Sequence, residues 1–327
     1  MSKYLNSVKR NEAIDSIKGA LIVLVVLGHC LSLGDKDSTM FLHNLIYSFH
    51  MPLFVFLSGY FTKKNERLVT GIKSLFETFI SFHILYMLFT RAIPSSITQV
   101  LTPMWIYWYL LSLVFWRLVV NFLPFEKWNK VVVISLSLFF ALLVGYVDFV
   151  GYPLSLSRTI VFFPFFILGF YLQGVDFVKL LHYNEYLSKL TYGGVILFIL
   201  TIMMHLPDFA KIFAGSFSYS LQNIYIVSPF ISRLIFFILA ISISILFIRF
   251  VPSAKILSNV GRNTILIYVY HSFFVYVGRI VSLHLGISIW PIFYICIYSV
   301  FICFIIYIFR NLKLHQYFLH PLTSFFK

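Results

Sequence analysis

Stretches of about twenty apolar residues recur along this 327-residue chain from near residue 13 almost to its end. That recurrence leaves few folds open. About 20 apolar residues is the length an α-helix needs to cross the hydrocarbon core of a bilayer. Inside that core every backbone N–H and C=O must be bonded within the segment, which helices do and irregular chain does not. The reading is all-α: a polytopic integral membrane protein of about ten transmembrane helices, with both termini cytoplasmic. Spans are expected near 13–33, 42–61, 74–93, 104–123, 131–147, 159–175, 190–206, 230–251, 262–278 and 287–309. Segment 34–41 is expected as an outer loop, and 207–223 as the largest outer loop. The first run shows no clear small-residue cleavage site and is expected to remain as a span. With no repeat and no low-complexity segment, residues 1–327 read as a single membrane-embedded domain.

The charges orient this arrangement. The chain is 60% hydrophobic and only 11% charged, yet its formal net charge is +14. In a soluble protein such an excess would raise the question of nucleic acid. Here the lysines and arginines gather on alternate loops, as the positive-inside rule requires of cytoplasmic segments. Of the 25 Lys and Arg, only Lys36, Arg91, Arg117, Arg158, Lys211, Arg233 and Arg279 fall outside those segments. No nucleic-acid partner is expected; the lipid bilayer is. The compartment is the cell (plasma) membrane. Cys30, Cys296 and Cys303 all fall in apolar runs, without the spacing of a metal site or an extracellular disulfide. No metal is implied, because the histidines lack ligand-like spacing with acids or cysteines.

One stretch of the first span carries chemistry. It runs KGALIVLVVLGH, from Lys18 to His29. Eleven residues at about 100° each come to roughly 20° beyond three full turns, so both side chains share one helix face, about 16 Å apart along the axis. Lys18 alone would serve as an interface anchor, its ammonium reaching the headgroups. A histidine within an apolar span is costly and marks a cavity or a partner. Asp15 lies three residues before Lys18, where it pairs with the lysine or caps the helix start. His50 precedes Met51–Pro52, and a proline within a span frees a carbonyl that His50 would satisfy. His271 and Arg158 are further polar groups within or beside spans, as are His43, His83, His205 and Glu77. So many polar groups imply a polar cavity, expected to open at the cytoplasmic side between span 1 and its neighbours.

These segments also carry a resemblance. NEAIDSIKGALIVLVVLGHCL resembles the opening of the membrane acyltransferase 3 family, whose mark is Arg or Lys, ten residues, then His; Lys18 and His29 keep that spacing. YSFHMPLFVFLSGYF, at 47–61, is similar to the family's second segment. The match is best to the shorter branch of fucose 4-O-acetylase-like and exopolysaccharide O-acyltransferases. WYLLSLVFW at 108–116, FFPFFILGFYL at 162–172 and GRNTILIYVYHSF at 261–273 follow in the family's order. The soluble esterase-like domain that longer members add is not expected here. Nor is a role for an Arg-rich motif on the third span, where only Arg91 is found.

The resemblance implies transfer of an acyl group, acetyl first and succinyl as the rival, from cytoplasmic acyl-CoA to a hydroxyl. That hydroxyl would belong to a cell-envelope or extracellular polysaccharide or its lipid-linked precursor, in a bacterium, alongside polysaccharide synthesis partners. Acetyl-CoA is then a co-substrate, and no cofactor is permanently bound. On this reading His29 is catalytic, as general base or acyl carrier, and Lys18 binds the donor's phosphates. Asp15, His50, Arg158 and His271 are candidates for substrate contact or support. Two other functions fit a polar membrane bundle. One is a transporter or flippase, weakened by the lack of broken spans at matching places in two halves. The other is a non-catalytic subunit of a polysaccharide assembly system, for which His29 would be dispensable.

Overall fold

The computed structural model describes residues 11–65, 67–182, 209–221, 228–287 and 289–319, with 189, 192–193, 195–196 and 199–200 between them. Among these residues there is helix and no strand. The helices are α1 (Glu12–Cys30), α2 (Lys36–Phe61), α3 (Arg67–Thr90), α4 (Ile97–Val100), α5 (Trp108–Phe122), α6 (Lys130–Leu143) and α7 (Leu156–Tyr171). They continue with α8 (Phe177–His182), α9 (Phe209–Ala214), α10 (Pro229–Phe250), α11 (Lys255–Gly261), α12 (Thr264–His284), α13 (Ile292–Ile308) and α14 (Leu314–Leu319).

Eight described helices are long and apolar enough to cross a membrane: α1, α2, α3, α5, α7, α10, α12 and α13, some with short 3₁₀ extensions. Helix α6 with its extension covers Lys130–Tyr146, shorter than those eight and within a residue of the span expected near 131–147. The span expected near 190–206 lies largely outside the described residues. Two boundaries differ from the sequence reading for identifiable local reasons. The expected loop 34–41 is mostly helix, because Asp35 accepts a hydrogen bond from the Ser38 N–H (2.9 Å) and caps α2 six residues early. The last span starts later than expected, at Ile292, after Pro291, with the turn before it passing through Gly286 at φ +65°.

Helix α1 lies at the centre, packed by α2, α11, α12 and α13, and α2 packs in turn along α7. Apolar burial does not drive such contacts within lipid; close approach of backbones and interhelical hydrogen bonds do. The sequence supplies both. A side chain at Gly19 would collide with the Leu257 carbonyl, and one at Gly261 with the Asp15 carbonyl, so α1 and α11 touch backbone to backbone. Gly59 and Gly169 form the same reciprocal contact between α2 and α7, each against a carbonyl of the other helix, Phe166 and Phe56. Ser16 adds a clasp: its hydroxyl donates to the Ala254 carbonyl (3.2 Å) and accepts from the Ala254 N–H (3.1 Å).

Candidate active site

His29 occupies the last turn of α1, where Gly28 lets α2 approach: a Cβ at Gly28 would come within 3.1 Å of both Ile46 and Tyr47. That proximity places the Tyr47 hydroxyl 3.1 Å from His29 Nδ1. Trp105 meets the imidazole edge-on at 4.8 Å between ring centroids, and the His271 ring lies 5.2 Å away. His43 stacks on Tyr47, at 3.9 Å.

Each wall of this site is held by its own bonds. Trp105 carries a left-handed backbone (φ +38°) at the start of a 3₁₀ turn leading into α5. Such a conformation in a bulky residue persists only when its surroundings hold it. The surroundings do so here. His83 Nδ1 accepts the N–H of Met104 (3.1 Å), and the Tyr268 hydroxyl donates to the Ile106 carbonyl. The Tyr107 hydroxyl donates to the Val269 carbonyl (3.0 Å) and bonds the Ser272 hydroxyl (2.8 Å). Arg158 enters from α7, whose start is bent by two consecutive left-handed residues, Leu154 (φ +50°) and Ser155 (φ +57°). The bend points Arg158 inward. Its Nε donates to the Ala214 carbonyl (3.0 Å) and its Nη2 to the Ser216 hydroxyl (3.3 Å), while Trp108 and Tyr152 lie under the guanidinium at 5.0 and 5.4 Å.

The result is a cavity of about 100 Å³ lined by His29, Tyr47, His50, Trp105, Arg158 and Tyr268 among others, with Phe213 and Ala214 closing one side. His271 is fully buried next to His29 but is not one of the lining residues. The structure therefore gathers four of the sequence candidates, His29, His50, Arg158 and His271. Lys18 and Asp15 lie at the opposite end of α1, about 16 Å away along the axis. There Asp15 is buried and pairs with Lys18 at 2.6 Å and with Arg262 at 3.6 Å. Lys18 also stands 5.4 Å over the Phe61 ring. Asp15 does not cap the helix start, because Asn11 does, accepting from the N–H groups of Ala13 and Ile14.

The ring nitrogens decide what the histidines can do. His50 Nδ1 lies 2.7 Å from the Ile46 carbonyl, and His271 Nδ1 lies 3.1 Å from the Ile267 carbonyl. A carbonyl only accepts, so in both neutral rings Nδ1 carries the hydrogen and Nε2 holds the lone pair. His50 satisfies a backbone carbonyl as expected, but that of Ile46, whereas the one Pro52 deprives of its N–H is Ser48's, four residues back. His271 Nε2 is buried and has no hydrogen-bond partner among the described residues, a state that costs about 1–3 kcal/mol. His29 differs from both. Its Nδ1 faces a hydroxyl, which can donate or accept, so this ring can change tautomer without losing its bond. Its Nε2 has no hydrogen-bond partner among the described residues. A ring free to switch tautomer at the wall of a cavity can take up a proton and return it. Removing the Tyr47 hydroxyl (Tyr47→Phe) removes one bond of about 1 kcal/mol. We expect the rate of any reaction at His29 to fall roughly fivefold to tenfold, read as kcat with substrate affinity unchanged.

Sequence reasoning passed over Tyr47, Trp105 and Arg262. Tyr47 had a usable signal, since it stands three residues before His50 on the same helix face. Arg262 and Trp105 had none, because only the fold brings them to α1. His205 lies outside the described residues. Glu77 is buried with Lys73 4.0 Å away, remote from the cavity lining. Among the described residues no group of three or more His, Cys, Asp and Glu could hold a metal ion.

The family model described as "Acyltransferase domain" matches residues 11–308, which include every residue of the cavity and of the Asp15–Lys18–Arg262 cluster. The nodulation protein NolL of Sinorhizobium fredii is 36% identical over 104 residues. The matched stretch is 30% of this chain and 23% of that protein, so the chain spans about a quarter of the relative's length. No solved structure matches the chain.

Proposed function

The chain belongs to the acyltransferase domain family, and from that premise we propose that it is a membrane O-acyltransferase moving an acetyl group from cytoplasmic acetyl-CoA to a hydroxyl of a cell-envelope polysaccharide or its lipid-linked precursor. The observation that carries the reading is His29, half-buried on a cavity wall, held at Nδ1 by Tyr47 and with no partner at Nε2 among the described residues. Both termini are taken to face the cytoplasm, as the lysine and arginine distribution argues. That puts Lys18 and Arg262 at the inner surface, where two cations share the single carboxylate of Asp15. The excess positive charge suits the phosphates of CoA. The cavity, at about 100 Å³, is large enough only for the reacting groups. The pantetheine arm would span the distance between Lys18 and His29, its bulkier headgroup remaining at the surface.

In the direct reaction His29 Nε2 takes the proton of the acceptor hydroxyl as its oxygen attacks the thioester carbonyl. A C–O bond forms, the C–S bond then breaks, and the CoA thiolate recovers the proton from the imidazolium. The ester and CoA–SH leave. In the alternative, Nε2 itself takes the acyl group and passes it on. His50 presents its fixed Nε2 lone pair to an acceptor N–H or O–H, and His271 backs the His29 ring.

The test is transfer of label from radiolabelled acetyl-CoA in membranes containing the protein. We expect label in an envelope glycan with wild type. With Lys18→Ala we expect a KM for the donor raised about tenfold or more, as loss of a charge-assisted bond implies, and recovery at high donor. A Lys18→Ala enzyme with unchanged KM would remove Lys18 from donor binding. No labelling from acetyl-CoA or succinyl-CoA by wild type would overturn the transferase reading.

A further inference from the structure

Arg158 has features that a structural role leaves unexplained. A cation within a membrane bundle is normally paired with an acid or surrounded by acceptors. Arg158 has no ion pair with any described acid. Its bonds to Ala214 and Ser216 use Nε and Nη2, which leaves Nη1 without a partner among the described residues. The guanidinium carbon lies 5.0 Å over the Trp108 ring, and Arg158 lines the same cavity as His29. Among the described residues no lysine and no other arginine lines that cavity.

Arg233 provides an internal comparison. It is fully buried, donates from Nη1 to the Ala141 carbonyl and from Nη2 to the Phe217 carbonyl, and lies 4.6 Å over Tyr219. It ties down the same 209–221 segment as Arg158 but lines no described cavity. Tethering that segment therefore does not need a cation facing His29.

Resting on the acyl-transfer reading above, we infer that Arg158 is a catalytic residue whose Nη1–H binds the carbonyl oxygen of the thioester as it becomes negative. When the acceptor oxygen attacks, the carbonyl π pair moves onto that oxygen. The proton has gone to His29, so the negative charge forms beside a guanidinium that is already in place. When the C–S bond breaks, the pair returns to the C=O bond and the charge leaves as thiolate, which His29 protonates. Nothing else is consumed. A donor fixed before the reaction acts without reorganising, and removing one such donor typically costs about 10²–10³ in kcat.

The experiment measures kcat and both KM values for wild type, Arg158→Gln, Arg158→Lys and Ser216→Ala, each checked by thermal unfolding in detergent. We expect Arg158→Gln to lose roughly 10²–10³ in kcat, with both KM values within about threefold. Arg158→Lys, which keeps the charge, should fall between it and wild type. Ser216→Ala, which removes only the Nη2 acceptor, should stay within about twofold of wild-type kcat even if it melts earlier. If Arg158→Gln does not fold, the ratio of Arg158→Lys to Ser216→Ala decides. A ratio near one overturns the inference. So does a folded Arg158→Gln with kcat unchanged. So does a rise of tenfold or more in KM for the acceptor at unchanged kcat, which would make Arg158 the reader of a carboxylate on the acceptor. Absence of transfer by wild type would overturn the function itself, whereas wild-type transfer with a full-rate Arg158→Gln would overturn only this role.

Discussion

We expect His29→Ala to leave a folded protein whose acyl transfer is severely slowed. A positioned general base contributes roughly 10²–10⁴ to a rate, and we expect kcat to fall by about 10³ with the donor KM near wild type. The split between the two constants is the informative part. His29 is at one end of α1 and the Asp15–Lys18–Arg262 cluster at the other, so removing the imidazole should leave headgroup binding intact. The stability cost should be modest, because the ring is half-buried and bonded to one hydroxyl. Acid-quenched wild type would also separate the two routes. Label that stays on the protein and disappears with His29→Ala indicates an acyl-imidazole; label found only in the glycan indicates direct transfer. A His29→Ala enzyme as active as wild type would end the catalytic role.

A substitution far from the cavity should have the largest effect on the fold. Gly261→Leu is expected to yield little or no monodisperse protein, and Gly19→Leu the same, measured by size-exclusion chromatography and thermal unfolding after detergent extraction. Overpacking of a core usually costs about 1–3 kcal/mol, because side chains shift to make room. Here the obstacle is backbone: the Asp15 carbonyl against Gly261 and the Leu257 carbonyl against Gly19. Neither can move without moving its helix. Separation of α1 from α11 would also pull Arg262 from Asp15 and unclasp Ser16 from Ala254. Gly151→Ala is the control, since its nearest contact is an ordinary 3.9 Å and its φ is not left-handed. Equal yield and melting temperature for Gly261→Leu and Gly151→Ala would show that the backbone contact is dispensable.

The parts of this protein legible in the sequence are those set by local periodicity. Spans of sufficient length and hydropathy declare themselves, and the shared face of Lys18 and His29 follows from helix geometry alone. The start of α2 was misjudged because its first turns are polar, and an Asp35 cap outweighs low hydropathy where the helix begins. Helix α6 with its 3₁₀ extension covers Lys130–Tyr146, within a residue of the span expected near 131–147. The bend that directs Arg158 inward was invisible. PLSLSR contains no glycine, so nothing announces two left-handed residues. Tyr47 and Arg262 matter through distance in space, which a single sequence does not carry. The tautomers of His50 and His271 depend on carbonyls one turn back.

The order in which the chain is made has a consequence for the buried arginines. Everything that holds Arg233, namely Ala141, Phe217 and Tyr219, precedes it in the sequence. When α10 leaves the ribosome and enters the bilayer, its guanidinium meets acceptors that already exist. Its span also has a mean hydropathy of 2.6, enough apolar weight to offset one arginine, at about 2.5–3.5 kcal/mol on the insertion scale. Arg158 has no such provision, because Ala214 and Ser216 are synthesised after it. Until they arrive it has only Trp108 and Tyr152 to shelter it. His29 and Tyr47 meet within the first pair of helices, but His271 reaches them only with α12. The site is therefore assembled in instalments during biogenesis, and its histidine cluster is completed near the end of translation.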